Sequence, residues 1–271
     1  MSIKNTIKRH GFVKAIPYAA CRLIQRFALL DITHLMILDA SDSVNVESQD
    51  DIEFRFLSRD EVVAFAADPT NDIDAALAPR IDSGYDYCFA ALDDGRLAGY
   101  CWLARHSIEA KHNAACEHPA SGIAMSYGPE YAFRYKGFTH PNYRGRRIYQ
   151  RVSHHASIAL QQLGIRYILS TAEVVNYGAI KSSYRCGYRY LGHCILVGFR
   201  RWSLIRSPRT DISGLVVGKR AVTIDRDAVI ASDESLTGEL PSRELPSSEL
   251  PCDELAVEST APNHAVESSL T

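Results

Sequence analysis

Arg144, Arg146 and Arg147 crowd around Gly145 in the run Pro141-Asn142-Tyr143-Arg144-Gly145-Arg146-Arg147-Ile148-Tyr149. Guanidinium groups are planar, permanently charged donors that suit phosphate oxygens, and glycine lets a turn bend tightly. The residues before this run alternate like a strand, and those after it have the period of an amphipathic helix. The turn would therefore sit at a helix start, where unpaired N–H groups and a partial positive charge attract anions. A phosphate-bearing cofactor is the ligand this chemistry suggests. Other chemistries have less support. His106, His112, Cys116 and His118 follow no compact zinc spacing, so no metal is expected. No Ser/His/Asp order and no nucleophilic cysteine context appears, which favours direct group transfer over a covalent enzyme intermediate.

The elements that must position the turn can be read from periodicity. Tyr131 to Phe138 alternates into it, and the helix beyond places Ile148, Val152, Ala156, Ala159, Leu160 and Leu163 on one face before Gly164 stops it. Ile165 to Ala172 reads as a buried strand, Tyr177 to Cys186 as a short helix after Asn176, and Tyr188 to Phe199 as a long apolar strand. Upstream, Glu53 to Leu57 alternates as a strand. Ser58 then stands three residues ahead of Glu61, a capping box that opens a helix through Val62, Val63 and Phe65. Tyr87 to Leu92 and Leu97 to Leu103 flank Asp93-Asp94-Gly95-Arg96, a hairpin turn. The polar stretch from about Arg105 to Glu130 lacks periodicity and reads as a long loop of the kind that often carries function. The order is strand, helix, two strands, strand, helix, strand, helix, strand.

Taken together, the region from about Glu53 to Phe199 resembles the GNAT superfamily of acyl-CoA-dependent N-acyltransferases. Arg144 stands at the leading position of that family's Q/R-x-x-G-x-G/A turn, with Pro141-x-Tyr143-Arg144-Gly145 as its run-in. Asn176, Gly187 and Tyr188 match a second signature, an Asn followed by Gly and an aromatic. The resemblance implies an α/β fold with a mixed central sheet flanked by helices and parted between two strands. It implies acetyl-CoA, or another acyl-CoA, held by Phe138, Thr139, Arg144, Gly145, Arg146, Arg147, Ile148, Tyr149 and Asn176, and a small-molecule amine or envelope or saccharide precursor as acceptor. Two positions depart from the pattern: Arg147 and Tyr149 stand where the family has small residues, so a nucleotide could be crowded out there. The family's acid, a tyrosine, falls on Ser183, with Tyr184 one step and about 100° further round the helix. A thiolate leaving group has a pKa of about 8.5, so a water or Ser183 could serve in its place. An attacking amine must lose a proton, and His140, Glu173 and Glu130 are the candidate bases. Arg147 and Arg151 could equally be a solvated helix face. The alternative to an enzyme is a coenzyme-A-binding module without turnover.

The remaining composition bounds the setting. A formal net charge of −2 gives no basis for nucleic-acid binding. Seven cysteines without a C-x-x-C pair point to reduced thiols and a cytoplasmic protein. Residues 1–30 contain Lys4, Lys8, Arg9, Lys14, Arg22 and Arg26 and no acid. This stretch is either a basic amphipathic pair of helices lying on an anionic membrane surface or a helical extension packed on the domain. At the other end Glu-Leu-Pro recurs at a five-residue period from Glu239 to Pro251, in an acidic context that reads as disordered. The expected division is a helical extension over 1–45, a GNAT-like domain over 46–205, a short extension over 206–232 and a tail over 233–271.

Overall fold

Eight strands build the central sheet in the order β10-β9-β1-β8-β7-β4-β3-β2, and every neighbouring pair is antiparallel except β7 and β8. In chain order these are β1 Leu29–Asp39, β2 Ile52–Phe56, β3 Asp86–Asp93, β4 Arg96–Arg105, β7 Tyr131–Thr139, β8 Tyr167–Glu173, β9 Arg189–Phe199 and β10 Trp202–Arg206. Three short strands, β5 Ser107–Ile108, β6 Ala124–Ser126 and β11 Val216–Gly218, form a second small sheet. The helices are α1 Phe12–Phe27, α2 Arg59–Ala66, the single turn α3 Pro79–Asp82, α4 Ile148–Gln162 and α5 Tyr177–Arg185. The structure is a computed structural model that describes residues 12–46, 51–114, 122–199 and 202–218. The chain divides into units 1–223 and 224–271. The Glu-Leu-Pro repeat, the expected tail and the basic residues 1–11 lie outside the described residues.

Local signals account for most of these elements. Ser58 accepts from the Glu61 N–H at 3.3 Å while Glu61 accepts from the Ser58 N–H at 2.8 Å, closing the capping box at α2. Asp94 and Gly95 take positive φ, 50° and 73°, in the turn of the β3–β4 hairpin. Along β4, Tyr100, Trp102 and Ala104 face one side of the sheet with Phe133 and Val62, while Cys101 and Leu103 face the other with Val152, Ala156 and Leu160 of α4. Each large apolar side chain buried in these two layers stabilises the fold by about 1.5–3 kcal/mol.

Four expectations are corrected. Residues 29–39, expected to be helical, form β1, which fills the slot between β8 and β9 and pairs with both. Its apolar residues, Leu29, Leu30, Ile32, Leu35, Met36, Ile37 and Leu38, fall on both even and odd positions, so no two-residue period marks it as a strand. The run from Arg105 to Glu130 includes β5 and β6 as well as loop. Leu163, expected on the inner face of α4, is exposed, whereas Arg151, offered as a solvated residue, is buried with its guanidinium 5.1 Å from the Phe54 ring centroid.

Candidate functional site

Pairing of the parallel strands β7 and β8 runs only from Tyr131↔Tyr167 to Arg134↔Ser170. Beyond Arg134 the strands part. A bulge at Lys136, whose φ is 40°, interrupts the β4–β7 ladder between Trp102↔Tyr135 and Cys101↔Gly137, and turns the free half of β7 away from β8. Sheet ladders are unpaired along such a seam, so backbone groups of β7 and β8 face open space there.

Two cavities meet in this opening, sharing Arg134 to Lys136 on β7 and Thr171 and Ala172 on β8. The first, of about 550 Å³, runs down β7 from Thr139 and Phe138 beneath Arg144, Tyr149, Asn176 and Ser183. The second, of about 430 Å³, is lined by Tyr18 and Arg22 of α1, by Lys111, His112 and Asn113, and by Glu173. Both fall in the range of small-ligand sites, about 300–1,000 Å³.

At the mouth of the larger cavity the arginine turn takes the expected place. Gly145 adopts φ 88°, and Arg147 is the N-cap of α4 with φ 56° and ψ 24°, a left-handed conformation that glycine adopts without strain. The position where the resemblance expects a glycine thus carries an arginine in a left-handed conformation. Arg147 is exposed and lines neither cavity, so it does not plug the corner. Tyr149 does enter the cleft. Its ring lies against Gly137, where a Cβ would come within 2.5 Å of Cε2, and it forms one wall of the cavity rather than closing it. The first N–H groups of α4, Ile148 and Tyr149 among them, have no acceptor within the helix. Asn176 caps α5 by accepting from the Ala179 N–H at 3.2 Å and lines the cavity.

The cleft also gathers Arg134 and Tyr135, which the sequence did not single out, and His112, which it weighed only as a metal ligand. Arg134 is buried at the last paired position, donating to Ser183 Oγ at 3.0 Å and Ser153 Oγ at 3.3 Å. Its guanidinium lies 4.2 Å from the Tyr188 ring centroid and 4.9 Å from that of Tyr149. Tyr135 donates its hydroxyl to the buried Asp86 carboxylate, which Arg80 also holds, and Arg80 reaches Glu109 at 3.0 Å. Burial first, then the Asp86 charge, raises the Tyr135 pKa, so this phenol keeps its proton. His112, half-buried beside Tyr135, has its pKa lowered by burial and by the Arg80 and Lys111 cations, so its imidazole is neutral at pH 7. A charge in the alternating run Tyr131 to Phe138 was the available signal for Arg134, since Arg134 shares its face with Ala132.

The expected site residues divide accordingly. Phe138, Thr139, Arg144, Tyr149, Asn176 and Ser183 line the larger cavity. Ile148 is buried beneath it against Gly99, and Arg146 turns to Asp93 at 3.8 Å and over the Tyr143 ring. Glu173 lines the smaller cavity, but both its oxygens are taken: Arg22 donates to Oε2 at 2.7 Å and Gln25 to Oε1 at 3.1 Å. His140 sits apart from the parting, in a separate cavity with Thr70, Arg96 and Tyr143, and its Nδ1 accepts from the Asn142 N–H. Tyr184 is 45% exposed and lines none of these cavities. Glu130 likewise lies away from the cleft, its carboxylate against Gly128. Cys116 and His118 lie outside the described residues, and among the described residues no cluster of metal-ligand side chains forms. No described helix is long and apolar enough to cross a membrane.

No family model and no curated protein matches the chain. Solved structures do. An acetyltransferase of the GNAT family from Colwellia psychrerythraea is 15% identical, with 69% of this chain and 62% of that one covered and a TM-score of 0.42. A GCN5-related N-acetyltransferase from Kribbella flavida is 14% identical, with 69% and 65% covered and a TM-score of 0.43. A GCN5-related glucosamine N-acetyltransferase region of a fungal multi-domain GH3 β-N-acetylglucosaminidase is 16% identical, with 68% and 23% covered and a TM-score of 0.43. The chain spans less than two thirds of the length of each of these three.

Proposed function

We propose that the protein transfers an acyl group from coenzyme A to an amine, with the coenzyme in the larger cavity and the amine in the smaller. The observation that carries this is the parting of β7 from β8 beyond Arg134, which opens one continuous cleft between an anion-attracting helix start and a second, polar cavity. The diphosphate would meet Arg144 and the first N–H groups of α4, while the pantetheine arm would lie along the unpaired edge of β7. Acyl-coenzyme A would supply an activated thioester, and the protein's own groups would orient it, exclude water and handle protons.

His112 is the group best suited to take the proton of the attacking amine. It lines the acceptor cavity and is neutral at pH 7, whereas Glu173 is occupied by Arg22 and Gln25. Tyr135, with its proton committed to Asp86, contributes shape rather than acid. Four cations, Arg22, Lys111, Arg134 and Lys136, and one carboxylate, Glu173, line the acceptor cavity. Its polar wall suits a small hydrophilic amine.

Isothermal titration with acetyl-CoA, followed by thiol-release assays on a panel of small amines, tests the proposal. Stoichiometric binding with release is expected. Binding without release on any amine would favour the coenzyme-binding module, a reading that the bulk of Tyr149 in the cleft also supports, and absence of binding would remove both. Contact of the basic N-terminal residues with a membrane is a separate proposal, and liposome flotation with and without residues 1–30 decides it.

A further inference from the structure

Thr33 of β1 carries a buried hydroxyl that the fold leaves unanswered. The residue is 4% exposed, its Oγ1 has no hydrogen-bond partner, and it lines the smaller cavity. It stands opposite Glu173 in the β1–β8 ladder and opposite Cys194 in the β1–β9 ladder, so the strand that holds it is fixed on both sides. A buried polar group without a partner is destabilising, and each one in a native fold calls for a cause. Here the cause is at hand, because Thr33 borders about 430 Å³ of open space rather than close-packed side chains. A ligand in that space would supply the missing partner.

The groups around Thr33 limit what the ligand can bring there. Glu173, across the ladder, already accepts from Arg22 at 2.7 Å and from Gln25 at 3.1 Å. Thr171, on the same face of β8, donates its hydroxyl to Asn113 Oδ1, and Asn113 donates to the Ile123 carbonyl at 2.7 Å. The charges further out are matched within the protein as well: Lys111 meets Glu109 at 2.7 Å, and Lys136 meets Asp74 at 3.1 Å. Arg134 turns to Ser153 and Ser183 on the α4 side of the sheet. A ligand carboxylate at Thr33 would be repelled by Glu173 and a ligand ammonium by Arg22, and either would leave water for a wall whose charges are already engaged. A neutral group that both gives and takes a hydrogen bond suits the position, since the threonine hydroxyl does both and Glu173 and Thr171 add acceptor lone pairs. The smallest such group is a hydroxyl.

We propose that Thr33 selects the acceptor, which is an amino alcohol: its hydroxyl hydrogen-bonds Thr33 Oγ1 while its nitrogen lies towards His112. The proposal rests on the acyltransferase reading and adds to it the far end of the substrate. Thr33 belongs neither to the arginine turn nor to the Asn176 cap but to the strand that enters the sheet between β8 and β9. It makes and breaks no bond, and its part is to tell one amine from another. Discrimination of this kind is effective because an analogue lacking the hydroxyl leaves the buried threonine unpaired in the complex.

The test uses matched amines in which methyl replaces the hydroxyl, ethanolamine against propylamine and propanolamine against butylamine. Values of kcat/KM are measured on the full chain by thiol release from acetyl-CoA. Thr33→Val, which keeps the shape and removes the hydroxyl, should lower the ratio of amino alcohol to alkylamine by about tenfold or more. The intrinsic reactivities of the amines cancel in that comparison with wild type. The loss should fall on the amino alcohol and chiefly in KM, with kcat on the alkylamine within about twofold of wild type. Thr33→Ser, which restores a hydroxyl, should recover most of the ratio. Because the hydroxyl is unpaired in the free protein, the denaturation midpoint of Thr33→Val should be unchanged or raised. An unchanged ratio in Thr33→Val, equal losses on both amines, or a lowered midpoint overturns the proposal while acyl transfer stands. Release with other amines but with neither amino alcohol overturns it too. Binding of acetyl-CoA without release on any amine overturns the acyltransferase reading and takes this proposal with it.

Discussion

The two ends of the cleft are built differently. The end proposed for the coenzyme is made of short local motifs: the turn from Pro141 to Arg147 with the first residues of α4, and the Asn176 cap of α5. Its charged side chains are exposed, and Arg144 has no ion pair among the described residues. The acceptor end is tied by contacts between distant parts of the chain, Arg22 to Glu173, Arg80 to Asp86 and Glu109, and Tyr135 to Asp86, with Asp86 fully buried. An exposed arginine costs little to keep and gains its partner only when a phosphate arrives. A buried ionic network is strained by the loss of any member, because the survivors are left charged in a poor solvent. Substitutions at the mouth should therefore change affinity, and those behind the acceptor cavity should change stability.

The largest effect expected is at Asp86. Asp86→Asn leaves Arg80 partly buried without its main counter-charge, and chemical denaturation should show a loss of about 3–5 kcal/mol. Coenzyme affinity of the fraction that remains folded should stay near wild type; a large loss of affinity with intact stability would break the contrast between the two ends. Arg144→Glu should do the reverse. Loss of a charge-assisted contact of about 1.5–3 kcal/mol corresponds to a decrease in acetyl-CoA affinity of roughly 10- to 150-fold by calorimetry. The same change at Arg166, which is exposed beside Asp39 and Tyr167 away from the cleft, should alter affinity less than about twofold.

A smaller effect sharpens the acceptor side. The His112 pKa lies below its ordinary 6.5, so the imidazole is neutral above that pH and gains a proton only as pH falls through the lowered folded value. The rate of acyl transfer should be flat from pH 8 to about 6.5 and fall below it. In His112→Gln that acid limb should disappear along with most of the rate; persistence of the limb would assign the base elsewhere. The smallest change expected is a gain. Arg147 holds φ 56° as a non-glycine residue, and Arg147→Gly should raise stability by about 0.5–1 kcal/mol in thermal denaturation. If backbone amides and Arg144 make the grip, coenzyme affinity should be unchanged in that variant; a fall would show that the Arg147 guanidinium takes part.

Legibility in the sequence followed how local the cause was. The capping box at Ser58 and Glu61, the Asp-Gly turn of the β3–β4 hairpin and the helix stop at Gly164 each depend on a few adjacent residues, and each is where the residue types place it. Lining residues of the larger cavity such as Arg144, Asn176 and Ser183 are also legible, because they belong to a turn and a capped helix. His140 adjoins the arginine turn and Tyr184 adjoins Ser183 in sequence, yet the chain carries His140 to another cavity and Tyr184 to the surface. Adjacency along the chain does not specify which side of a turn or helix a group will face.

The order of strands and helices from Glu53 onward, the helix start beneath an arginine turn, and the presence of apolar faces to cover a sheet were set by residue type and period alone, since these are properties of a few consecutive side chains. Tertiary structure alone decided that Leu29 to Asp39 would enter the sheet between β8 and β9, that the sheet would part beyond Arg134, and that Arg134, His112 and Ser183 would share one opening. Those outcomes depend on pairing between strands distant in sequence, β1 with β8 and β9 across more than a hundred residues and β7 with β8 across 36, and on burial of charges that short-range pattern treats as surface. Their energies come from contacts that exist only once the chain has closed on itself.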